Sequence, residues 1–139
     1  MKALDTPILL ALLEGRREAI DLADSLAGEE VCTTEANLFE LECVARDAGG
    51  AQRTRRLAAL DRLRHKMTVL PIDDRAVHAA SALVGGRKDP VPPLVALTLG
   101  VLASCGVSEV FTTEGGHLES AGGAVKVTHV RRKTTKSRK

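Results

Sequence analysis

The stretch Lys2-Ala3-Leu4-Asp5-Thr6-Pro7-Ile8-Leu9-Leu10-Ala11-Leu12-Leu13-Glu14-Gly15-Arg16 holds a complete strand-to-helix switch. Lys2–Leu4 reads as a very short strand that ends on Asp5. Thr6 is placed to supply an N-cap oxygen, and Pro7 sits where a helix has an N–H to spare. Ile8, Leu9, Leu10, Leu12 and Leu13 then make an apolar helix that Gly15 ends. Asp5 has two readings. It caps the helix, or it faces a ligand, because the carboxyl edge of an open α/β sheet is where ligands bind.

Outward from this stretch the same alternation continues. Ala19, Ile20, Leu22, Ala23 and Leu26 keep helical spacing up to Gly28. Glu30–Thr33 is a strand candidate. Thr34 reads as the N-cap of a helix with Glu35 in its first turn and Leu38, Leu41 and Ala45 as its buried stripe. Asn37 and Glu40 lie three apart on that helix and share a face. Residues 51–67 predict a longer helix, with Leu57, Leu60, Leu63 and Met67 inward. Arg55, Arg62 and Lys66 form a basic stripe elsewhere on it, either a solvated face or an RNA contact. Thr68–Ile72 looks like a buried strand, and Asp73 caps a helix running through Ala76, Val77, Ala80 and Leu83. Pro90, Pro92 and Pro93 forbid regular structure before the apolar helix Leu94–Ala103. Glu109–Thr112 and Ala124–Val127 are the last strands. Short strands alternating with helices predict an α/β fold, a three-layer α/β/α sandwich around a mainly parallel sheet of about five strands.

Composition narrows the function. The chain has 139 residues, enough for one domain with its own core. Apolar residues make up 44 % and aromatics 1 %, with Phe39 and Phe111 the whole set. Base stacking on aromatics is thereby excluded as a mode of RNA recognition, whereas phosphate contacts remain open. No apolar run reaches the length of a membrane span, and Asp5 and Glu14 interrupt the N-terminal stretch against a signal peptide. Cys32, Cys43 and Cys105 are odd in number and widely spaced, so core thiols in a reducing cytoplasm are expected rather than a metal site. Residues 131–139 hold six bases (Arg131, Arg132, Lys133, Lys136, Arg138, Lys139) and no acid. Setting those six aside from the 20 leaves 14 bases against 18 acids, an acidic body with a basic tail. The expected layout is a domain over residues 1–130 and a disordered tail at 131–139. Arg131, Arg132 and Lys133 are candidate RNA contacts, a solvated terminus being the plainer reading.

Three acids stand at comparable places. Asp5 ends the first strand, Glu40 projects from the helix after the second, and Glu114 follows the strand Glu109–Thr112. Clustered carboxylates without a base raise one another's pKa or recruit a divalent cation, and oxygen-only donors suit Mg²⁺ or Mn²⁺.

The motifs around these acids resemble those of PIN domains, the fold of VapC-type toxin ribonucleases. LDTPILLALLEG is similar to the family's opening and TTEANLFEL to its second motif. LVALTLGVLASCGVSEVFTTEGGHL is similar to the third and fourth motifs, with VLPIDDRAVHAA as the strand and helix before them. The resemblance covers residues 2–128 and implies that Asp5, Glu40 and Glu114 hold one or two Mg²⁺ or Mn²⁺ ions. Metal-activated water would then attack an RNA phosphodiester. Thr6, Asn37 and Thr112 would support the acids. Two departures stand out. The alignment puts Val95 at the third acidic position, with Asp89 six residues earlier as a substitute, and the fourth acid is Glu114 where the family usually has Asp. The resemblance also implies an antitoxin partner and a homodimer. Two further readings stay open: a catalytically impaired PIN domain that binds RNA or protein, and an unrelated doubly wound domain whose acids are coincidental caps.

Overall fold

In the computed structural model, residues 1–85, 88, 91–113, 118 and 125–132 are described. The elements are β1 (Lys2–Leu4), α1 (Thr6–Leu13), α2 (Arg17–Ser25), β2 (Val31–Thr34), α3 (Glu35–Asp47) and α4 (Gly50–Lys66). They continue as β3 (Thr68–Leu70), α5 (Asp74–Val84), α6 (Pro93–Ser104), β4 (Glu109–Thr113) and β5 (Lys126–Val130). The five strands form one sheet in the order β3-β2-β1-β4-β5, every neighbouring pair parallel. The expected three-layer α/β/α sandwich is present.

Strand alternation builds two cores. Ala3, Cys32, Leu70 and Val110 face one side and pack with Ala76, Ala80, Ala96, Leu99 and Leu102 of α5 and α6. Leu4 and Phe111 face the other side and pack with Ile8, Leu9, Leu38, Leu41 and Leu60 of α1, α3 and α4. The register Leu4↔Phe111 fixes this division, since a one-residue slip would turn every side chain to the wrong face. Ile8 and Leu9 are fully buried. Each contributes about 2 kcal/mol by removal from water.

Two glycines carry specific loads. Gly15 has φ +70°, a left-handed conformation that ends α1 and that a side chain rarely adopts. A Cβ on Gly100 would lie 2.4 Å from the Ala76 carbonyl oxygen, so α6 approaches α5 as closely as it does only because that residue has no side chain.

The structure corrects four sequence expectations. Thr68–Ile72 is not a buried strand. β3 stops at Leu70, before Pro71, and lies at the sheet edge with Thr68 exposed. The last strand is Lys126–Val130 rather than Ala124–Val127; Ala124 lies outside the described residues. Cys43 is not a core thiol, because it lies on the outer face of α3 beside Phe39, while Cys32 is buried. Thr6 does not cap α1; Asp5 is the N-cap residue, and its side chain makes no capping bond. Thr34 and Asp73 do cap α3 and α5, accepting from the N–H groups of Asn37 and Ala76.

Candidate active site

β1 ends at Leu4, so Asp5 stands at the carboxyl edge of the central strand, 9 % exposed. Its two carboxylate oxygens are taken by different elements. Thr112 of β4 donates its hydroxyl to Oδ2 at 2.7 Å, and Asn37 of α3 donates Nδ2–H to Oδ1 at 2.9 Å. A bare acid between neutral donors keeps its charge at a cost. Burial pushes the Asp5 carboxyl above the ordinary aspartate value, while bonds from Thr112, the Thr6 backbone N–H and Asn37 pull it back. Asp5 stands at the N-cap position of α1, but capping is not its whole role, because both its oxygens are also engaged by α3 and β4.

Asn37 is the hub. Thr34 donates to its Oδ1 at 2.8 Å, and the Thr33 hydroxyl, which donates to the Leu4 carbonyl at 2.9 Å, lies 3.3 Å from the same oxygen. A carboxylate cannot donate, so the amide must turn its NH₂ toward Asp5 and its oxygen toward the threonines. Nδ2 also donates to the Thr6 hydroxyl at 3.0 Å, and the Thr6 hydroxyl in turn donates to Glu40 Oε1 at 2.6 Å. Asp5 and Glu40 are thus joined through one amide and one hydroxyl. Thr33, Thr34, Asn37 and Thr112 are each at most 1 % exposed. No buried side-chain nitrogen or oxygen among the described residues lacks a partner.

The structure therefore brings together Asp5, Glu40, Thr6, Asn37 and Thr112. Glu114, the third expected acid, lies outside the described residues, as do Asp89 and Lys133. Val95 is half-buried in the first turn of α6 and packs against the core on the α5–α6 side; that turn contains no acid. Arg131 and Arg132 follow β5 at the same carboxyl edge, both exposed, and Arg132 lines a shallow trough with Pro7, Thr113 and Arg16. Thr33 was not singled out from the sequence. Its signal was present in the two Thr-Thr pairs, 33–34 and 112–113, at the carboxyl ends of the two strands that flank β1.

The donor set fits a hard divalent cation: carboxylate and hydroxyl oxygens, with no sulfur or imidazole among the groups joined here. Among the described residues no three acids, histidines or cysteines stand close enough to hold a metal by themselves. The described part of the site thus offers the two carboxylates Asp5 and Glu40. No basic side chain contacts either of them among the described residues.

The profile of the PIN domain family matches residues 2–99. No curated protein matches the chain in sequence. Among solved structures, the chain is similar to VapBC2 from Rickettsia felis, solved with a DNA fragment from its promoter. The TM-score is 0.78 at 10 % identity, over 92 % of this chain and 97 % of that one. It is also similar to VapBC-5 of Mycobacterium tuberculosis, a member of the VapBC toxin–antitoxin family, with TM-score 0.66 and 26 % identity over 94 % and 97 % of the two chains. VapC20 of Mycobacterium tuberculosis, a sarcin–ricin loop cleaving toxin, gives TM-score 0.67 at 20 % identity over 91 % and 99 %.

Proposed function

The chain belongs to the PIN domain family, and on that premise we propose that it is a Mg²⁺- or Mn²⁺-dependent ribonuclease, the toxin of a toxin–antitoxin pair. The observation that carries this reading is the Asp5–Asn37–Thr6–Glu40 chain of hydrogen bonds at the carboxyl edge of the sheet. It holds two acids in place with neutral donors and leaves their charge for an outside cation. Asp5, Glu40 and Glu114 are the proposed ligands. A divalent cation held there would acidify a water for in-line attack on a phosphodiester and would offset charge on the phosphate oxygens. The protein's own part is positional. Asn37 and Thr112 orient both oxygens of Asp5, and Thr6 orients Glu40. The basic residues Arg131, Arg132 and Lys133 are proposed RNA contacts.

The likeness to toxin–antitoxin complexes supports an antitoxin as partner. Phe39, 61 % exposed on α3, and Val77, 47 % exposed on α5, offer apolar surface suited to a second copy, so a homodimer is proposed. No described helix is long and apolar enough to cross a membrane, in keeping with a cytoplasmic site of action.

The test is cleavage of single-stranded and structured RNA by the purified protein in Mn²⁺, in Mg²⁺ and in EDTA, with Asp5→Asn alongside. Metal-dependent cleavage lost in the variant supports the proposal. Inertness in both metals, with no thermal stabilisation by Mn²⁺, overturns it. The acid-free first turn of α6 favours one second reading, a PIN domain that binds RNA without cutting it. Val95→Asp separates the two. Tighter Mn²⁺ binding in a folded variant marks a weakened nuclease site, whereas a folded variant without metal affinity leaves the binding module. Val95 packs on the core, so a melting curve must accompany the titration.

A further inference from the structure

Helix α4 carries Arg53, Arg55, Arg56, Arg62, Arg64 and Lys66 against a single acid, Asp61. Arg53 is engaged with the Ala48 carbonyl, and Asp61 faces His65. Among the described residues no carboxylate pairs with Arg55, Arg62 or Lys66. All three are exposed. Their positions, with Ala59 between, step by four, three and four, which puts them on one face of the helix along about 16 Å of its axis.

That face is not isolated from the acids. Arg55 and Arg62 line a trough against Leu10 of α1 and Leu41 of α3. Leu10 is one turn beyond Thr6, and Leu41 adjoins Glu40. Arg62 and Lys66 line a second trough that shares Leu13, Ala59 and Arg62 with the first. The cationic face is therefore continuous along the two troughs, with Glu14 the one acid lining the first, and Leu10 and Leu41 stand between it and the acidic site.

An all-acid centre repels a polyanion, so a phosphodiester chain must be gathered by cations placed beside the centre rather than in it. We propose that the Arg55–Arg62–Lys66 face of α4 is a phosphate track that holds the RNA backbone and leads it to the acids. These are positioning residues. The track reads charge and not base identity, since Phe111 is buried and Phe39 lies in a different trough with Glu42 and Cys43. The proposal rests on the ribonuclease reading and deepens it.

The experiment is fluorescence anisotropy of a 5′-labelled oligouridine bound to the full chain in EDTA, titrated over KCl. Each lost phosphate contact lowers the slope of log K on log[salt] by about 0.7, so R55Q/R62Q/K66Q should flatten it by about 2. R55K/R62K, which keeps the charge, should keep the slope. Gln is a good helix former at these exposed positions, and R62Q alone, with about a third of the effect, serves if the triple variant melts. An unchanged slope in a folded triple variant, or no RNA binding by the wild type, overturns the track. So does a triple variant that keeps its RNA slope but loses poly-glutamate binding, which would assign the face to an acidic protein segment. The two readings fail separately. Metal-dependent cleavage with an unchanged slope removes the track alone, while a flattened slope in an inert protein removes the nuclease alone.

Discussion

The two edges of the central sheet treat their acids in opposite ways. At the amino edge, Glu109 at the start of β4 accepts from the Thr128 hydroxyl and lies 3.4 Å from Lys2 and 3.8 Å from Lys126. Lys2 also lies 3.5 Å from Glu29. The Thr128 bond and the two lysines hold the Glu109 carboxyl below the ordinary glutamate range. At the carboxyl edge, on the strand paired beside it, Asp5 has neutral donors only and is shifted upward by burial. An acid matched by lysines has its charge met within the fold and serves structure. An acid held rigid by hydroxyls and an amide has its geometry met and its charge unmet. Glu18 sharpens the contrast, since it is 6 % exposed on α2 yet lies 3.9 Å from Arg16. Burial alone does not mark a site; burial without a cation does.

The comparison breaks most visibly at Asp5. Asp5→Asn keeps the size of the side chain and removes its charge. RNA cleavage in Mn²⁺ should fall by at least about a hundredfold, since even outer-shell partners of a metal site are worth about 10- to 100-fold. Stabilisation of the fold by Mn²⁺, about 2.7 kcal/mol for the wild type at a hundred times Kd, should vanish from the melting curve. A variant that cleaves like wild type would make the carboxyl edge as structural as the amino edge.

Asn37→Ala should cost stability in its own right. The amide makes four side-chain hydrogen bonds or close polar contacts to Thr33, Thr34, Asp5 and Thr6. At about 1 kcal/mol per lost bond, with unpaired groups left behind, about 3 kcal/mol is expected in urea unfolding. A loss below about 1 kcal/mol would mean that the hub only decorates the edge.

The pH dependence should differ in sign between the edges. The folded pKa of Asp5 lies above its ordinary value of 3.8. The folded state then holds the proton more tightly, and stability falls as pH rises through that window. In EDTA, Asp5→Asn should therefore melt with the wild type at the acid end and above it at neutral pH. The folded pKa of Glu109 lies below 4.5, so its contribution is present above that value and is lost as pH falls through the lowered one. Paired melting curves of Asp5→Asn and Glu109→Gln from acid to neutral pH check both signs.

The smallest effect belongs to Glu109→Gln at neutral pH. Its lysines are partly exposed, so the loss should be under about 1 kcal/mol and should shrink with added salt. RNA cleavage should not change. A large loss of cleavage would show that the two edges are coupled.

Much of this chain was legible before its structure. Helical and strand periods placed nearly every element, because they repeat within a few residues. The Thr34 and Asp73 caps were readable for the same reason, since each bonds an N–H three residues on. The acids Asp5 and Glu40 and their supports Thr6, Asn37 and Thr112 were picked from their places at strand ends and from the resemblance. What stayed illegible was long-range. Local chemistry makes Thr6 a good cap and Asp5 a plausible one. The parallel register Leu4↔Phe111 instead brings Thr112 beside Asp5 across 107 positions, and the packing of α3 brings Asn37 to the other oxygen. The same holds for β3. Its residues read as a buried strand, but strand order decides which strand stands at an edge, and among the described strands β3 is an edge strand whose Thr68 is exposed. The sequence by itself determined the elements and nominated the acids. Only the tertiary structure decided which donors meet them, because short-range bonds depend on neighbours in the chain and a site depends on neighbours across a sheet.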